Sequence, residues 1–393
     1  MSAVKIDNEA ILPGSTIGIL GSGQLGKMTA VAAQRMGYRV HVLSPEQNSP
    51  AGKIADLEIV ADYLDLAAIE DFAKSVDVVT LEFENIPTKA LEAAGQHAPV
   101  YPGVQTLWTT QNRAREKAFL QENDIPTCDF RVVRSLEEFE TACESVFPGV
   151  LKTTEEGYDG KGQRFIRSKN EIESAWEALQ CNEAILESLI DFECEFSVVA
   201  ARSSNGEVAA FPTSRNEHCN HILDVSVSPS GLSEQQEQQA TEIACQIMSH
   251  LETVGVLCVE FFKCKDGQIL VNEIAPRPHN SGHLTIEANV TSQFEQQVRA
   301  VCGLPLGSTE RIKPAAMANL LGDLWANGQP QWDRALETSD VKLHLYGKQD
   351  AKPGRKMGHL TAIADSPELA RELVTSAKPV SYTHLTLPTI LLV

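Results

Sequence analysis

Residues 255–283 read GVLCVEFFKCKDGQILVNEIAPRPHNSGH. Two apolar runs flank Asp266-Gly267, a dipeptide suited to a two-residue hairpin turn. A turn centred there sets Glu260 directly opposite Glu273, with Cβ atoms roughly 4.5–5.5 Å apart. Like charges so placed destabilise a sheet. A hard divalent cation with oxygen ligands, most simply magnesium, removes that penalty. The alternative is an exposed pair on a solvated face. Against it stand the apolar residues around the pair and the polar, turn-rich APRPHNSGH that follows.

The rest of the chain sets limits on this reading. It has 393 residues, enough for two or three domains, with 42% hydrophobic and 22% charged residues, an ordinary globular profile. The net charge of −20 argues against nucleic acid as a partner, because phosphate backbones attract basic surfaces. It leaves room for a small anionic substrate held by a few local Lys and Arg residues. Nine cysteines without a CxxC spacing fit neither a disulfide framework nor structural zinc, and point to a reducing cytoplasm. The polar start MSAVKIDNEA is not expected to be a signal peptide. No apolar run approaches the roughly 20 residues of a membrane span.

Strand and helix patterns alternate through the first hundred residues. TIGIL, YRVHVL, LEIVAD and DVVTLEF read as buried strands and LGKMTAVAAQRMG as a helix, which predicts a parallel α/β sheet. From about Thr110 the pattern changes. NRAREKAFLQEND is helical, and VLKTT, a Gly-rich loop and RFIRS follow it. AILESLI, CEFSVVAARS, EVAAFPT and DVSVSP then read as an antiparallel run. SEQQEQQATEIACQIMSHLE is a long amphipathic helix capped by Ser233. A third, smaller unit begins near Arg311. The expected division is 1–108 (Rossmann-like parallel sheet), 109–310 with a lid at 113–185, a small β-rich 311–380, and an atypical charge-free tail at 381–393.

Several motifs carry chemistry. Gly21-Ser22-Gly23-Gln24-Leu25-Gly26 follows a strand and opens a helix, so its amides can approach a phosphate. The second strand ends in Ser44-Pro45 rather than an acidic residue, which disfavours a dinucleotide and leaves a phosphate-bearing substrate or a structural turn. The three glycines at 157, 160 and 162 make a hairpin loop that could close over phosphates, and Lys152 points a cation at the same place. Glu187 and Glu195 lie on the next two strands. There ILESLIDFECE offers backbone groups to an adenine edge and a carboxylate to ribose. His218 and His221 lack the further ligands a zinc site needs. Arg277, His279, Asn280, Ser281 and His283 follow the acidic hairpin on a proline-stiffened segment, where Arg and His near a metal can hold a small planar anion and stabilise developing charge. Lys348, Lys352, Arg355 and Lys356 form a basic cluster on an acidic chain, suited to a substrate phosphate or simply solvated.

In this order, GSGQLGKM, LEFENIP, KTTEEGYDGKGQ, NEIAPRPHNSGH and YGKQDAKPGRKMGHL resemble the ATP-grasp superfamily over roughly residues 15–363. Within it the chain is similar to the biotin-independent carboxylating ligases of purine biosynthesis. The resemblance implies an ATP-grasp fold, mixed α/β and α+β, with an N-terminal pre-ATP-grasp sheet and a small C-terminal β-rich domain. It implies that Arg113, Lys152, the loop Gly157, Tyr158, Asp159, Gly160, Lys161, Gly162, Gln163, then Glu187, Ser188, Leu189, Ile190, Glu195 and His218 hold ATP. Glu260 and Glu273 would ligate Mg2+, with Asn272 beside the nucleotide phosphates. Tyr158, Asp159, Arg277 and Asn280 would surround bicarbonate and the reacting amine, and Gln24, Glu84, Asn85, Lys348 and Arg355 would shape the ribonucleotide site. Glu155-Glu156 departs from the family, where basic or glycine residues are common.

The implied reaction joins bicarbonate to the exocyclic amine of 5-aminoimidazole ribonucleotide. It spends ATP through carboxyphosphate and releases ADP and phosphate on the route to IMP. The same resemblance implies a cytoplasmic homodimer. Rival readings are a formate-dependent glycinamide ribonucleotide transformylase on the same fold, a nicotinamide oxidoreductase, and a non-catalytic nucleotide sensor.

Overall fold

Leu57–Val60, Arg39–Ser44, Thr16–Leu20, Val78–Leu81 and Val100–Tyr101 lie side by side in that order as a five-stranded parallel sheet. The computed structural model describes residues 10–155, 162–326 and 328–380. The central strand Thr16–Leu20 is buried along its whole length, as its unbroken apolar run requires of a strand covered on both faces. Helix Gln24–Arg35 covers one face of this sheet through Ala30 and Ala33, and helix Leu66–Lys74 covers the other through Ile69 and Phe72.

A nine-stranded antiparallel sheet forms the body. Its main path runs Ile269–Ala275, Gly255–Cys264, Phe192–Arg202, Ser214–Cys219, Ile222–Ser228, Ala315–Leu321, Lys356–Ile363 and Val341–Leu345, and Val208–Ala210 pairs beside Phe192–Arg202. The unit read as starting near Arg311 therefore has no sheet of its own. Its strands continue the body's sheet through four residue pairs from Val225–Ala318 to Ser228–Ala315. Helix Glu234–His250 carries the expected Ser233 cap, reciprocated by Gln236, and lays Ala240, Ile243, Ala244 and Ile247 on this sheet. Phe196 and Phe261 stack between them with ring centroids 5.1 Å apart. Burying a side chain of that size contributes about 1.5–3 kcal/mol.

The lid is a separate four-stranded sheet ordered Phe130–Val133, Ala184–Ser188, Gly149–Thr153 and Gln163–Ile166. Helix Arg113–Glu122, grouped with the lid on sequence, instead sends Leu120 into the body's core. Three strands lie outside the sequence-based expectation: the two-residue Val100–Tyr101 at the sheet edge, Ser214–Cys219 and Lys356–Ile363. Ser214–Cys219 turns back at Asn220-His221, both with positive φ (50° and 66°), without the glycine that usually marks such a turn. Lys356–Ile363 was hidden behind its basic leader.

Candidate active site

Glu260 and Glu273 face each other across the hairpin, as the sequence predicts. Two departures from the expected hairpin cancel to give that result. The connection is three residues long, with Gly267 at φ +91° and the Cys264 amide donating to the Gln268 carbonyl at 2.9 Å. The pairing near the turn is therefore displaced by one residue, with Phe261 opposite Val271. A β-bulge at Asn272 then restores the register, so that Glu260 meets Glu273. Val259, Phe261, Ile269, Val271 and Ile274 all enter the core, and the two carboxylates are turned to the other face. Burial, and then the Glu273 charge, push the Glu260 carboxyl well above the usual carboxylate range.

That other face lines a cleft of about 1280 Å³ between the three sheets. On its lid side, Lys152 donates to Glu187 at 2.6 Å. Burial opposes the charged form of Glu187, yet Lys152 and Lys117 hold it down to about 2. Ser188, Leu189 and Ile190 continue along the wall. Glu195 accepts from His218 Nδ1 at 2.8 Å. That bond keeps His218 above the usual histidine range although burial works the other way. Arg113 lines the cleft, with its guanidinium on the Thr153 carbonyl at 3.0 Å, and Gln163 and Asn272 also face in. Gly162 does not line the cleft, and its carbonyl accepts from the Thr153 amide. The expectations for Gly157, Tyr158, Asp159, Gly160 and Lys161 fall on residues 156–161, outside the described residues, as does the tail 381–393. The unusual Glu155 is tied to the body, accepting from Asn112 Nδ2 at 3.2 Å.

Opposite the lid, Arg277 grips Glu84 through two nitrogens, one at 2.9 Å from Oε1. Glu84 thus holds the arginine as well as facing the cleft with Asn85 and Gln24. Burial works to raise the Glu84 carboxyl, but the Arg277 charge and hydrogen bonds, helped by Lys356, leave it below the usual carboxylate range. Asn280 is fixed by an amide exchange with Asn319 at 3.1 and 2.7 Å. His279, expected with Arg277 to hold a small anion near the metal, has Nε2 3.1 Å from Glu260 Oε1 instead. The Ser281 amide donates to its Nδ1 at 3.3 Å, so the ring proton sits on Nε2, the nitrogen beside Glu260.

The glycine-rich loop departs from expectation. The Gly23 and Gly26 amides at the head of helix Gln24–Arg35 donate to Glu82, at 2.5 and 2.9 Å. A carboxylate of the protein occupies the place predicted for a substrate phosphate. The approach is close enough that a Cβ on Gly23 would lie 2.7 Å from Glu82 Oε1. Glu82 read only as the end of a strand. Lys348 and Arg355 do not line the main cleft. The turn before Lys348 is fastened to the N-terminal sheet domain, with Lys27 donating to the carbonyls of Leu345 and Tyr346 at 3.1 Å and Lys53 to that of Gly347 at 2.9 Å. Burial, with Arg355 adding to it, lowers the Lys348 ammonium to about 8. Lys356, from the same basic run, does reach the cleft.

A lid sheet that carries a lysine strand, facing a body sheet with paired carboxylates, is the arrangement of an ATP-grasp ligase, and family models agree. Residues 118–294 match the ATP-grasp domain, 14–111 the ribonucleotide synthetase preATP-grasp domain, and 315–373 the phosphoribosylaminoimidazole carboxylase C-terminal domain. The N5-carboxyaminoimidazole ribonucleotide synthase of Bacillus subtilis is 45% identical over 359 residues, covering 91% of this chain and 93% of its own. That of Brucella melitensis is 44% identical, covering 91% and 99%. Among solved structures, an N5-carboxyaminoimidazole ribonucleotide synthetase in its ADP complex superposes with a TM-score of 0.89 at 45% identity, over 94% of this chain and 97% of that one. The Aspergillus clavatus enzyme with ADP and 5-aminoimidazole ribonucleotide gives 0.86 at 32% identity, over 93% and 98%. The chain belongs to the N5-carboxyaminoimidazole ribonucleotide synthase family.

Proposed function

We propose that this enzyme carboxylates the exocyclic amine of 5-aminoimidazole ribonucleotide, using ATP and bicarbonate, in purine biosynthesis. The observation that carries the reading is the Glu260–Glu273 pair facing into a cleft that also holds Lys152, Glu187 and Arg277. The relatives' names and the ribonucleotide in the Aspergillus clavatus complex support the substrate.

The carboxylate pair fits a hard divalent cation. The two side chains face each other, and burial has already made one of them hard to ionise alone. Among the described residues no cluster of three or more His, Cys, Asp or Glu forms a protein-only cage. That suits magnesium, which takes one or two carboxylates and completes its shell from phosphates and water. Bound at Glu260 and Glu273, it would neutralise charge on the nucleotide phosphates.

The chain's own residues supply the rest. A bicarbonate oxygen attacks the γ-phosphorus of ATP, the bond to the β-γ bridging oxygen breaks, and ADP leaves carboxyphosphate behind. Lys152, aimed by Glu187, steadies the charge that builds on the phosphates. Arg277, aimed by Glu84, holds the carboxyl end, and Asn280 orients it. The amine nitrogen then attacks the carboxyl carbon, phosphate departs, and a proton leaves the nitrogen. Lid closure over the cleft keeps water from the labile intermediate.

The ribonucleotide phosphate is assigned to Lys348 and Arg355, because Glu82 fills the helix N-terminus that would otherwise take it. Arg355→Ala is expected to raise the KM for the ribonucleotide about tenfold with kcat nearly unchanged, the pattern of lost uniform binding. An unchanged KM in steady-state kinetics contradicts the assignment. Lys348, lowered to about 8, is charged below that pH and neutral above it. The KM for the ribonucleotide should therefore rise as pH increases through about 8, and the rise should flatten in Lys348→Arg. A pH profile identical in wild type and variant removes Lys348 from the site.

The family also supports a cytoplasmic homodimer, which sedimentation equilibrium tests. Among the described residues no helix is long and apolar enough to cross a membrane. The deciding experiment for the reaction measures phosphate release with bicarbonate and aminoimidazole ribonucleotide against formate and glycinamide ribonucleotide. Release dependent on the second pair would overturn the reading in favour of the transformylase.

A further inference from the structure

We infer that Lys117 is a positioning residue for the divalent-cation site, pinning the bulge at Asn272 that presents Glu273 to Glu260. The inference rests on the reading of those two carboxylates as the cation's ligands.

Lys117 is 1% exposed, an unusual place for an ammonium. Its Nζ donates to the Asn272 carbonyl at 2.7 Å, the Val271 carbonyl at 3.3 Å and Thr127 Oγ1 at 2.8 Å. Thr127 Oγ1 in turn donates to the Val271 carbonyl at 2.8 Å. The preceding residue, Glu116, is 4% exposed and accepts the Ile274 amide on Oε2 at 3.1 Å. Two consecutive residues of one helix thus hold the backbone on both sides of Glu273. They do so where the hairpin ladder is interrupted and least able to hold itself.

The charge has a second effect. Burial alone would lower the Lys117 pKa, but Glu187, Glu116 and Glu273 raise it. The cation sits behind the acidic hairpin and is absent from the residues lining the cleft. It therefore offsets repulsion between the carboxylates without competing for the phosphates.

The test is Mn2+ binding to the full chain in the presence of ADP, followed by electron paramagnetic resonance. Wild type should bind Mn2+ and Glu273→Ala should not. If Glu273→Ala binds as tightly as wild type, the carboxylate reading fails and the inference with it. Lys117→Met should bind Mn2+ at least tenfold more weakly, while its calorimetric affinity for aminoimidazole ribonucleotide stays within twofold. A folded Lys117→Met with lowered thermal stability but wild-type Mn2+ affinity overturns the inference. If Lys117→Met does not fold, Thr127→Val decides. That variant keeps the charge and loses the hydroxyl shared by Lys117 and Val271. About threefold weaker Mn2+ binding supports the role, and unchanged binding overturns it.

Discussion

Glu273→Ala should lower kcat for ribonucleotide-dependent phosphate release by about 10³-fold or more, corresponding to about 4 kcal/mol of lost transition-state stabilisation. The reason is geometric. Glu260 alone would be half of the proposed ligand set, and Glu273 is the member that a bulge places on the cleft face. The same change should not weaken the metal-free fold, because it removes a like charge opposite a buried carboxylate. Loss of turnover with an unchanged or raised melting temperature separates a ligand from a structural residue. The pH dependence follows in sign. The Glu260 carboxyl ionises later in the folded chain than in the unfolded one. The pair therefore favours folding below the ordinary carboxylate range and opposes it as pH rises through the elevated value. Added Mg2+ should raise the melting temperature of the wild type more at about pH 8 than at about pH 5. Normal turnover in Glu273→Ala would end the assignment.

Arg277→Ala should reduce kcat about 10²-fold, the scale of losing one preorganised charge at the reacting centre. Here stability should fall too, by about 2 kcal/mol, because Glu84 is left in the cleft wall without its guanidinium. That is below the range for a fully buried pair, since the Glu84 side chain keeps 31% of its surface. Glu84→Gln added to Arg277→Ala should recover much of the stability and none of the activity. Chemical denaturation and steady-state kinetics on the double-mutant cycle check both halves. Recovery of turnover in the double variant would mean that Arg277 serves only to balance Glu84.

The parallel sheet was legible because buried strands and amphipathic helices differ in period, and TIGIL and LGKMTAVAAQRMG leave little room for another reading. The hairpin was legible for a less secure reason. Counting from Asp266-Gly267 reached the right carboxylate pair through two offsetting errors, the longer turn and the bulge. A signal for the second was present. The apolar positions Ile269, Val271 and Ile274 step by two and then by three, and a strand without a bulge cannot bury all three on one face. Glu82 and Lys117 were illegible for the opposite reason. A charge in sequence is read as solvated, and only the fold reveals that one caps a helix and the other lies beneath a strand. The strand Lys356–Ile363 was obscured because a run of lysines and arginine drew attention to its charge rather than to MGHLTAI after it.

The continuity of the nine strands has a practical meaning for anyone shortening this chain. Removing everything past Arg311 would not free a self-sufficient catalytic half. It would strip Ile222–Ser228 of its neighbour and leave an apolar seam of unpaired amides and carbonyls, the kind of border along which chains stick to one another. The stretch past Arg311 therefore acts as a selvedge, keeping the woven edge of the ATP-binding half from fraying.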